Sequence, residues 1–404
     1  MITIILRPHK EESLLRFHPW VFSGAIHKIV LPESYPADEP TEGERAVVVS
    51  SDGQVLGIGH FQIGSIAVRM LCFGVDTLPC GFWRQRISSA LKVRQQACLL
   101  RADNTMWRLV HGEGDYLPGL VVDVYGTTAV MQAHSVGMHC ERHEIADAIV
   151  QCVPQVKQVY YKSDDTLPFK ACIEGEKTGW LVYDSAIGEE SGQHWAVENG
   201  LQFLIDYTGG QKTGFFLDQR DNRALLERYA YGREVLNMFC YTGGFSVYAL
   251  RGGAKSVHSV DVSERAIERV RQNVQQNFPD ARCHRAFAED AFRFMEDIHN
   301  QYDLIVLDPP AFAKHQDARR NALRGYRRLN AKAMQQIRQG GLLFTFSCSQ
   351  AVDKESFRLA VFSAAAETGR SVRILHQLHQ GEDHPVNIYH PEGEYLKGLV
   401  LYVE

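Results

Sequence analysis

The rhythm of hydrophobic and polar positions changes twice along the chain. Up to about residue 72 the apolar residues fall in short β-branched runs, Ala46-Val-Val-Val and Ile66-Ala-Val-Arg-Met-Leu, with Asp52-Gly53 as a turn between flanking strands. The proline- and carboxylate-rich stretch from Pro32 to Pro40 predicts a loop. From Phe82 the period becomes helical. Phe82-Trp83, Ile87, Ala90-Leu91 and Val93 recur at steps of three and four, which assigns Arg84, Arg86, Lys92 and Arg94 to the outer face. A strand pair around Tyr125-Gly126 and a helix from about His139 to Cys152 follow. From about His194 strands and helices alternate, the signature of a parallel α/β sheet. The strand candidates are Val235-Leu-Asn-Met-Phe, Ser256-Val-His-Ser-Val-Asp, Leu304-Ile-Val-Leu-Asp and Gly341-Leu-Leu-Phe-Thr-Phe. The helices between them are Phe245 to Leu250, Glu264 to Asn277 and Tyr326 to Gln339. The expected division is a small β-barrel over 1–72, a central α+β domain over 73–192 and an α/β domain over 193–404, with the middle boundary near Gly188 to Gly192.

Composition narrows the class. A length of 404 residues suits two or three domains, and 45% apolar with 23% charged residues excludes a disordered chain. The opening Met1-Ile-Thr-Ile-Ile-Leu-Arg-Pro-His-Lys is not a secretory signal, and no run approaches the ~18 apolar residues of a membrane span, so a soluble, cytoplasmic chain is expected. A formal net charge of −5 confines any nucleic-acid binding to local patches. The nine cysteines, an odd number with no Cys-x-x-Cys, speak against a disulfide framework and a zinc ribbon. Most are expected to be small buried hydrophobes, and no metal is expected.

Chemistry gathers in the last segment. Its first strand runs into Phe239-Cys-Tyr-Thr-Gly-Gly-Phe and then a helix, and glycines at such a turn let the backbone approach a ligand at the carboxyl edge of the sheet. The next strand ends at Asp261, placed for the hydroxyls of a ribose, with Ser263 as the helix N-cap. Asp290 opens a helix after the following strand and is placed to accept from an adenine amino group. Only Gly243-Gly244 stands where a dinucleotide site wants Gly-x-Gly-x-x-Gly, which favours S-adenosylmethionine over NAD.

Asp308-Pro309-Pro310 closes the next strand, the prolines stopping it and holding the loop rigid. The fourth strand candidate ends Phe346-Ser347-Cys348-Ser349, a thiol at a strand end opposite an aspartate and so a candidate nucleophile.

Asn237-Met-Phe-Cys-Tyr-Thr-Gly-Gly-Phe, Asp308-Pro-Pro-Ala-Phe and Phe346-Ser-Cys-Ser resemble the class I methyltransferase domain of the PUA-containing ribosomal RNA cytosine-5 methyltransferases, the bacterial 23S enzymes. So do Arg16-Phe-His-Pro-Trp-Val-Phe-Ser-Gly, Gly112-Glu-Gly-Asp-Tyr-Leu-Pro-Gly-Leu-Val-Val-Asp and Lys212-Thr-Gly-Phe-Phe-Leu-Asp-Gln-Arg-Asp-Asn-Arg. The resemblance covers essentially the whole chain. It implies an N-terminal PUA-like RNA-binding barrel, a central α+β domain and a C-terminal Rossmann-like sheet of seven strands. It also implies a site for S-adenosylmethionine built around Gln219, Arg220, Asn237, Phe239, Thr242, Gly243, Gly244, Asp261, Asp290 and Asp308. The reaction implied is methylation of carbon 5 of a cytosine in 23S RNA or a large-subunit precursor, through a Cys348 adduct at carbon 6, with Asp308 at cytosine N3. A homodimer is compatible with the family. The larger two-cysteine RNA cytosine-5 family carries a second cysteine just after its Asp-x-Pro motif, and here Ala311-Phe312 stands there.

For RNA, Lys314, Arg319, Arg320, Arg324, Arg327, Arg328 and Lys332 stand against one acid, Asp317, directly after the proposed active-site loop. Tyr326 and Phe312 are candidates for stacking on bases. Arg7, Lys10, Arg16 and Lys28 form a second basic group, while Pro19-Trp20-Val21-Phe22 reads as barrel core. The rival readings are a ribosomal guanine methyltransferase, which has no need of a thiol, a uracil-5 methyltransferase, a non-catalytic RNA-binding assembly factor and, last, a dehydrogenase.

Overall fold

The computed structural model describes residues 1–36, 39–168, 173, 175–187, 192–313 and 316–404. Lys314 and most of the expected boundary at 188–192 lie outside the described residues. Contacts group the chain into two compact units. The first holds Met1–Ala196, Ile205–Phe215 and Glu382–Gly393, and the second Val197–Leu204, Phe216–Gly381 and Glu394–Glu404. Among the described residues no helix is long and apolar enough to cross a membrane.

The first unit contains the expected short strands as a six-stranded sheet. Its order is Trp20–Phe22, Ile66–Phe73, Val55–Phe61, Arg45–Val49, Ile2–Leu6 and Ile26–Val30, parallel only between Arg45–Val49 and Ile2–Leu6. Alternate residues of Ile2–Leu6 and of Arg45–Val49 are buried, the period-two pattern of a sheet with one face on a core. Asp52-Gly53 makes its turn, with Gly53 at φ +89°. Beside this sheet in the same unit lies the α+β part. Five strands are ordered Thr178–Val182, Gln158–Lys162, Thr128–Ala133, Leu120–Tyr125, Met106–His111, and helices Phe82–Gln96 and Arg142–Cys152 pack on one another. The helix expected from His139 is two, Val136–Cys140 and Arg142–Cys152, with Glu141 between them accepting from Arg45 at 2.7 and 2.9 Å and from His60.

Two expectations fail in this unit. Arg94, assigned to the outer face of its helix, is fully buried and Val93 is exposed. The reason is a partner far along the chain: the Arg94 guanidinium donates to both oxygens of Asp115 and to the Asp383 carbonyl. In Pro19-Trp20-Val21-Phe22, Val21 is core but Phe22 is exposed, and the Trp20 indole N–H donates to Glu113 at 2.8 Å.

The second unit is the alternating one. Strands β1 (Glu234–Met238), β2 (Ser256–Asp261), β3 (His284–Ala288), β4 (Leu304–Leu307), β5 (Gly341–Ser347), β6 (Val372–Leu378) and β7 (Lys397–Val403) are ordered β3-β2-β1-β4-β5-β7-β6. The first five are parallel, and β7 runs antiparallel to both neighbours. Every residue of β4 and β5 is buried, as befits strands covered on both faces. One face, Leu236, Ile305 and Leu343 among others, packs with helices α5 (Arg319–Gln336) and α6 (Lys354–Thr368). The other, with Val235, Val306 and Phe344, packs with α1 (Arg220–Tyr229) and α2 (Gly244–Arg251). Helix α3 (Glu264–Asn277) has the expected bounds and is capped by Ser263, whose hydroxyl accepts from Ala266 N–H.

Helix α5 begins seven residues before the expected Tyr326, because Ala322 continues the buried stripe of Tyr326, Leu329 and Ala333 at helical spacing. Its stripe also corrects a role: Tyr326 is fully buried, its hydroxyl against Ser349 Oγ at 2.9 Å, and offers no face to a base. The cysteines depart from expectation as well. Of the eight described, only Cys240 is buried.

A buried ion cluster anchors the segment before β1. Glu198 takes both forks of Arg223 at 2.8 and 2.7 Å and a third contact from Arg220 at 3.6 Å, all three residues at most 2% exposed. Glu198→Gln would leave two buried guanidinium groups around a neutral amide. We expect a loss of about 3–5 kcal/mol, read as a lower urea midpoint, since breaking a buried pair strands the remaining charge.

Candidate functional site

Five strand ends of the second unit converge on one edge of its sheet, at the point between β1 and β4 where strand order reverses and open α/β sheets bind ligands. The turn after β1 is sharply wound, with Phe239 at φ +57°, Tyr241 at +47° and Gly243 at +82°. Gly243 is favoured by its positive φ, and both glycines are tightly packed. A Cβ on Gly243 would meet Val270 at 3.0 Å, and one on Gly244 would meet Arg223 Cδ at 3.0 Å. The N–H groups of Cys240, Tyr241 and Gly243 donate to the Val260 carbonyl, the Asp261 carboxylate and the Cys240 carbonyl. Those donors are turned inward, so the turn is no phosphate cradle.

Asp261 ends β2 with its carboxylate held at this edge. One oxygen accepts from Tyr241 N–H at 2.9 Å and the other from Ser263 N–H at 3.0 Å. Asp290 is exposed and caps the short helix α4 (Ala291–Phe294), Oδ1 accepting from Phe292 and Arg293 N–H. A carboxylate oxygen carries more than one lone pair, so both acids keep acceptor capacity. Acceptors at the ends of β2 and β3 beside a turn without phosphate donors suit a nucleoside whose charge is not a phosphate.

Other expected cofactor residues sit deeper. Asn237 is buried in β1 and donates to Ser246 Oγ at 2.8 Å, which continues to Ser259 Oγ and His284 across the sheet. Thr242 is buried, its carbonyl accepting from Asn273. Phe239 is half-buried. Arg220 lies in the Glu198 cluster, and Gln219 donates to Asp308 Oδ2 at 3.1 Å while its carbonyl oxygen accepts from Asn222 at 2.6 Å.

Asp308 and Cys348 end the adjacent parallel strands β4 and β5. The Cys348 thiol points to the Pro309 carbonyl at 3.9 Å. Ser349, fully buried, ties the frame together: its Oγ contacts Tyr326 and accepts from Ala313 N–H, and its carbonyl accepts from Lys397 Nζ at 2.6 Å. Burial, with the Asp218 charge added, raises the Asp308 carboxyl to about 7, while the Gln219 amide and Arg223 oppose it. Burial pushes the Cys348 thiol up to about 12, aided by Asp308 and Asp218 and opposed by Lys397. Lys397 itself falls to about 8, chiefly through burial.

Asp218, Tyr395 and Lys397 were not singled out in the sequence. The Tyr395 hydroxyl donates to Asp218 Oδ2 at 2.6 Å, and Asp218 Oδ1 is buried with no hydrogen-bond partner. The one available signal was Lys397, a charge opening an apolar strand.

The basic residues after the Asp308 loop separate into two kinds. Arg320, Arg324 and Arg328 are exposed opposite the buried stripe of α5, Arg328 lying 4.9 Å above the Phe292 ring. Arg319 pairs with Asp353, and the exposed Arg327 pairs with Glu367. Phe312 is half-buried against the Tyr326 ring at 4.7 Å. In the first unit Arg7 and Arg16 are exposed, Arg7 donating to the Ile26 carbonyl and Arg16 lying 3.6 Å from Glu12.

Comparison with known proteins bears on this arrangement. A family profile described as S-adenosylmethionine-dependent methyltransferase matches residues 180–393, and one for a PUA-like domain matches residues 4–73. Relatives named ribosomal RNA large subunit methyltransferase I are 40% identical in Tolumonas auensis and 38% in Alteromonas mediterranea. Each alignment covers 99% of this chain and 98% of the relative. Among solved structures, SMU.776, a candidate methyltransferase complexed with SAH, superimposes at a TM-score of 0.84. A candidate SAM-dependent methyltransferase from Streptococcus mutans does so at 0.82. Both are 22% identical over all of both chains, a likeness of fold.

The charges around Cys348 give a direct test. Asp308→Asn removes one of the carboxylates that raise the thiol. Alkylation of Cys348 by iodoacetamide at mildly alkaline pH should then accelerate, about tenfold for each unit the thiol falls, as read by mass spectrometry of its peptide. Lys397→Met should slow it.

Proposed function

The chain belongs to the S-adenosylmethionine-dependent methyltransferases, with a PUA-like domain at its N-terminus, and from that premise we propose that it methylates carbon 5 of a cytosine in large-subunit, 23S ribosomal RNA. The observation that carries this reading is Cys348 at the end of β5, beside Asp308 at the end of β4, on the edge that also bears Asp261. An enzyme that methylates an already nucleophilic ring nitrogen has no use for that thiol.

S-adenosylmethionine supplies an electrophilic methyl group when bound. We assign Asp261 to its ribose hydroxyls and Asp290 to its adenine amino group, with Phe239, Thr242, Gly243 and Gly244 shaping the turn beside it. Gln219 acts at one remove, by orienting Asp308, while Asn237 and Arg220 hold the surrounding frame.

The chain's own task is to make carbon 5 reactive. Carbon 5 of cytosine is a weak nucleophile until a thiolate adds to carbon 6. The new sulfur–carbon bond takes up one end of the C5–C6 double bond, and the displaced electron pair makes carbon 5 enamine-like. Once carbon 5 has bonded to the methyl group that S-adenosylmethionine would supply, loss of the carbon 5 proton to a base and elimination of the thiolate restore the ring. A carboxyl near 7 is about half protonated at neutral pH, and Asp308 in its acid form donates to cytosine N3, drawing electrons away from carbon 6. Asp218 Oδ1, buried and unpartnered, is an acceptor suited to the 4-amino group, which uracil lacks. The ammonium of Lys397 offsets the charge of the thiolate. The base must be unstacked to enter, at a cost of a few kcal/mol in a duplex.

For the RNA we assign residues 1–72, with Arg7 and Arg16, to a flanking segment. Arg320, Arg324 and Arg328 are assigned to phosphates around the target base, with Arg319 and Arg327 joining on exchange of their carboxylate partners.

Incubation of unmodified 23S RNA with the protein and methyl-labelled S-adenosylmethionine should place label in 5-methylcytidine on nucleoside mass spectrometry. Label in a methylguanosine or 5-methyluridine would overturn the base assignment. Cys348→Ala should retain cofactor affinity and lose transfer, whereas Asp261→Ala should raise the dissociation constant for S-adenosylmethionine roughly tenfold or more, the value of one lost charge-assisted hydrogen bond. Turnover by Cys348→Ala would exclude the covalent route.

A further inference from the structure

The first unit contains a polar cluster that methyl transfer does not use. His18, in the Arg16-Phe-His-Pro-Trp segment, and His390 and Glu392, in Tyr389-His-Pro-Glu, offer ligand atoms that all lie within 4.8 Å of one another. We propose that His18, His390 and Glu392 form a binding site for a single zinc ion that clips residues 382–393 to the start of the barrel.

The first observation is His390. It is 3% exposed, and neither ring nitrogen has a hydrogen-bond partner. Glu392 lies 3.8 Å from Nε2, beyond hydrogen-bonding range. A buried imidazole with both nitrogens unsatisfied is costly, and a metal ion is one of the few partners able to satisfy it.

The second observation is the geometry of the other two ligands. His18 Nε2 lies 3.7 Å from Glu392 Oε1, so the carboxylate is approached by an imidazole on either oxygen. Ligands about 2.0–2.1 Å from a tetrahedral zinc are about 3.3 Å apart, so each histidine–carboxylate pair is within about half an ångström of that spacing and all three ligand atoms lie within 4.8 Å. His18 Nδ1 lies 3.3 Å from the Trp20 N–H and 3.4 Å from the Trp20 carbonyl, contacts that hold the ring with Nε2 turned toward Glu392. The Trp20 ring lies 4.3 Å from that of His390 and shields one side. Glu392 is half-exposed, which leaves a fourth position open to water.

Donor chemistry selects the ion. Two imidazoles and one carboxylate suit zinc, whereas calcium and magnesium want oxygen throughout. His18 is remote in the chain from His390 and Glu392, so the expectation of no metal could not register this set.

The test uses the full-length protein stripped with chelator and dialysed against limiting zinc. Bound zinc is counted by mass spectrometry in wild type, His390→Ala and Glu392→Gln. The wild type should hold one equivalent that His390→Ala lacks, and Glu392→Gln should bind at least tenfold more weakly, with circular dichroism spectra unchanged. Should His390→Ala fail to fold, His18→Gln replaces it. X-ray absorption at the zinc edge should show only nitrogen and oxygen neighbours at about 2.0–2.1 Å. Equal zinc in wild type and variants overturns the proposal, as does a sulfur shell, which would assign the metal to one of the free thiols.

Discussion

Arg223 is the residue on which the geometry of the second unit turns. Its guanidinium is held by both oxygens of Glu198, and its remaining fork donates to the Phe216 carbonyl at 2.9 Å. That last bond fixes the turn that carries Asp218 and Gln219, and Gln219 in turn fixes Asp308. The same side chain lies against Gly244, so the turn after β1 can descend only where no Cβ intervenes. A buried ion pair contributes little net stability, because desolvation offsets most of the attraction. What it supplies is discrimination among arrangements. Any shift of α1 that separated Arg223 from Glu198 would strand two charges, so the strand ends and the loop before them are held in one register.

That rigidity matters because the reactive groups oppose one another. Asp218, Asp308 and Cys348 are three potential anions around one edge, with Lys397 the cation set against them. Three negative charges cannot coexist there at small cost, so protons are retained on the carboxyl of Asp308 and on the thiol. The edge thus holds a protonated carboxyl and a protonated thiol side by side. On the proposed reading, a cytosine donating its amino hydrogen to Asp218 would spread the charge of that carboxylate and favour the thiolate, which would tie reactivity of the thiol to occupancy.

How much of this was legible in the sequence follows from the range of the interactions. Helix α3 was read to the residue, because its apolar stripe and its cap are local signals. The edge positions of Asp308 and Cys348 were legible because each follows an apolar strand directly, where chain position alone sets the sheet edge. Arg94 was misplaced because only Asp115 and Asp383 bury it, and Tyr326 because a core tyrosine and a stacking tyrosine look alike in isolation. Asp218 and Lys397 escaped for a related reason. Asp218 acquires its meaning from the neighbours that the fold brings to it, and Lys397 from a carbonyl at the end of another strand.

In a chain of net charge −5, one helix presents a local cationic face suited to a polyanion. In α5 the core claims Ala322, Tyr326, Leu329 and Ala333, and helical spacing then forces Arg320, Arg324 and Arg328 to the opposite side. Arg319 and Arg327 carry their own counterions in Asp353 and Glu367, so a phosphate must displace a carboxylate to reach them. Their contribution is therefore smaller than that of the three exposed arginines without such pairs, each of which can release a condensed cation from the nucleic acid. With a screening length near 8 Å at physiological salt, the acidic remainder of the surface is largely hidden from a phosphate seated on this helix. A phosphate brought to this helix would therefore meet the local charge, set by which residues the core had to bury, rather than the sign of the whole chain.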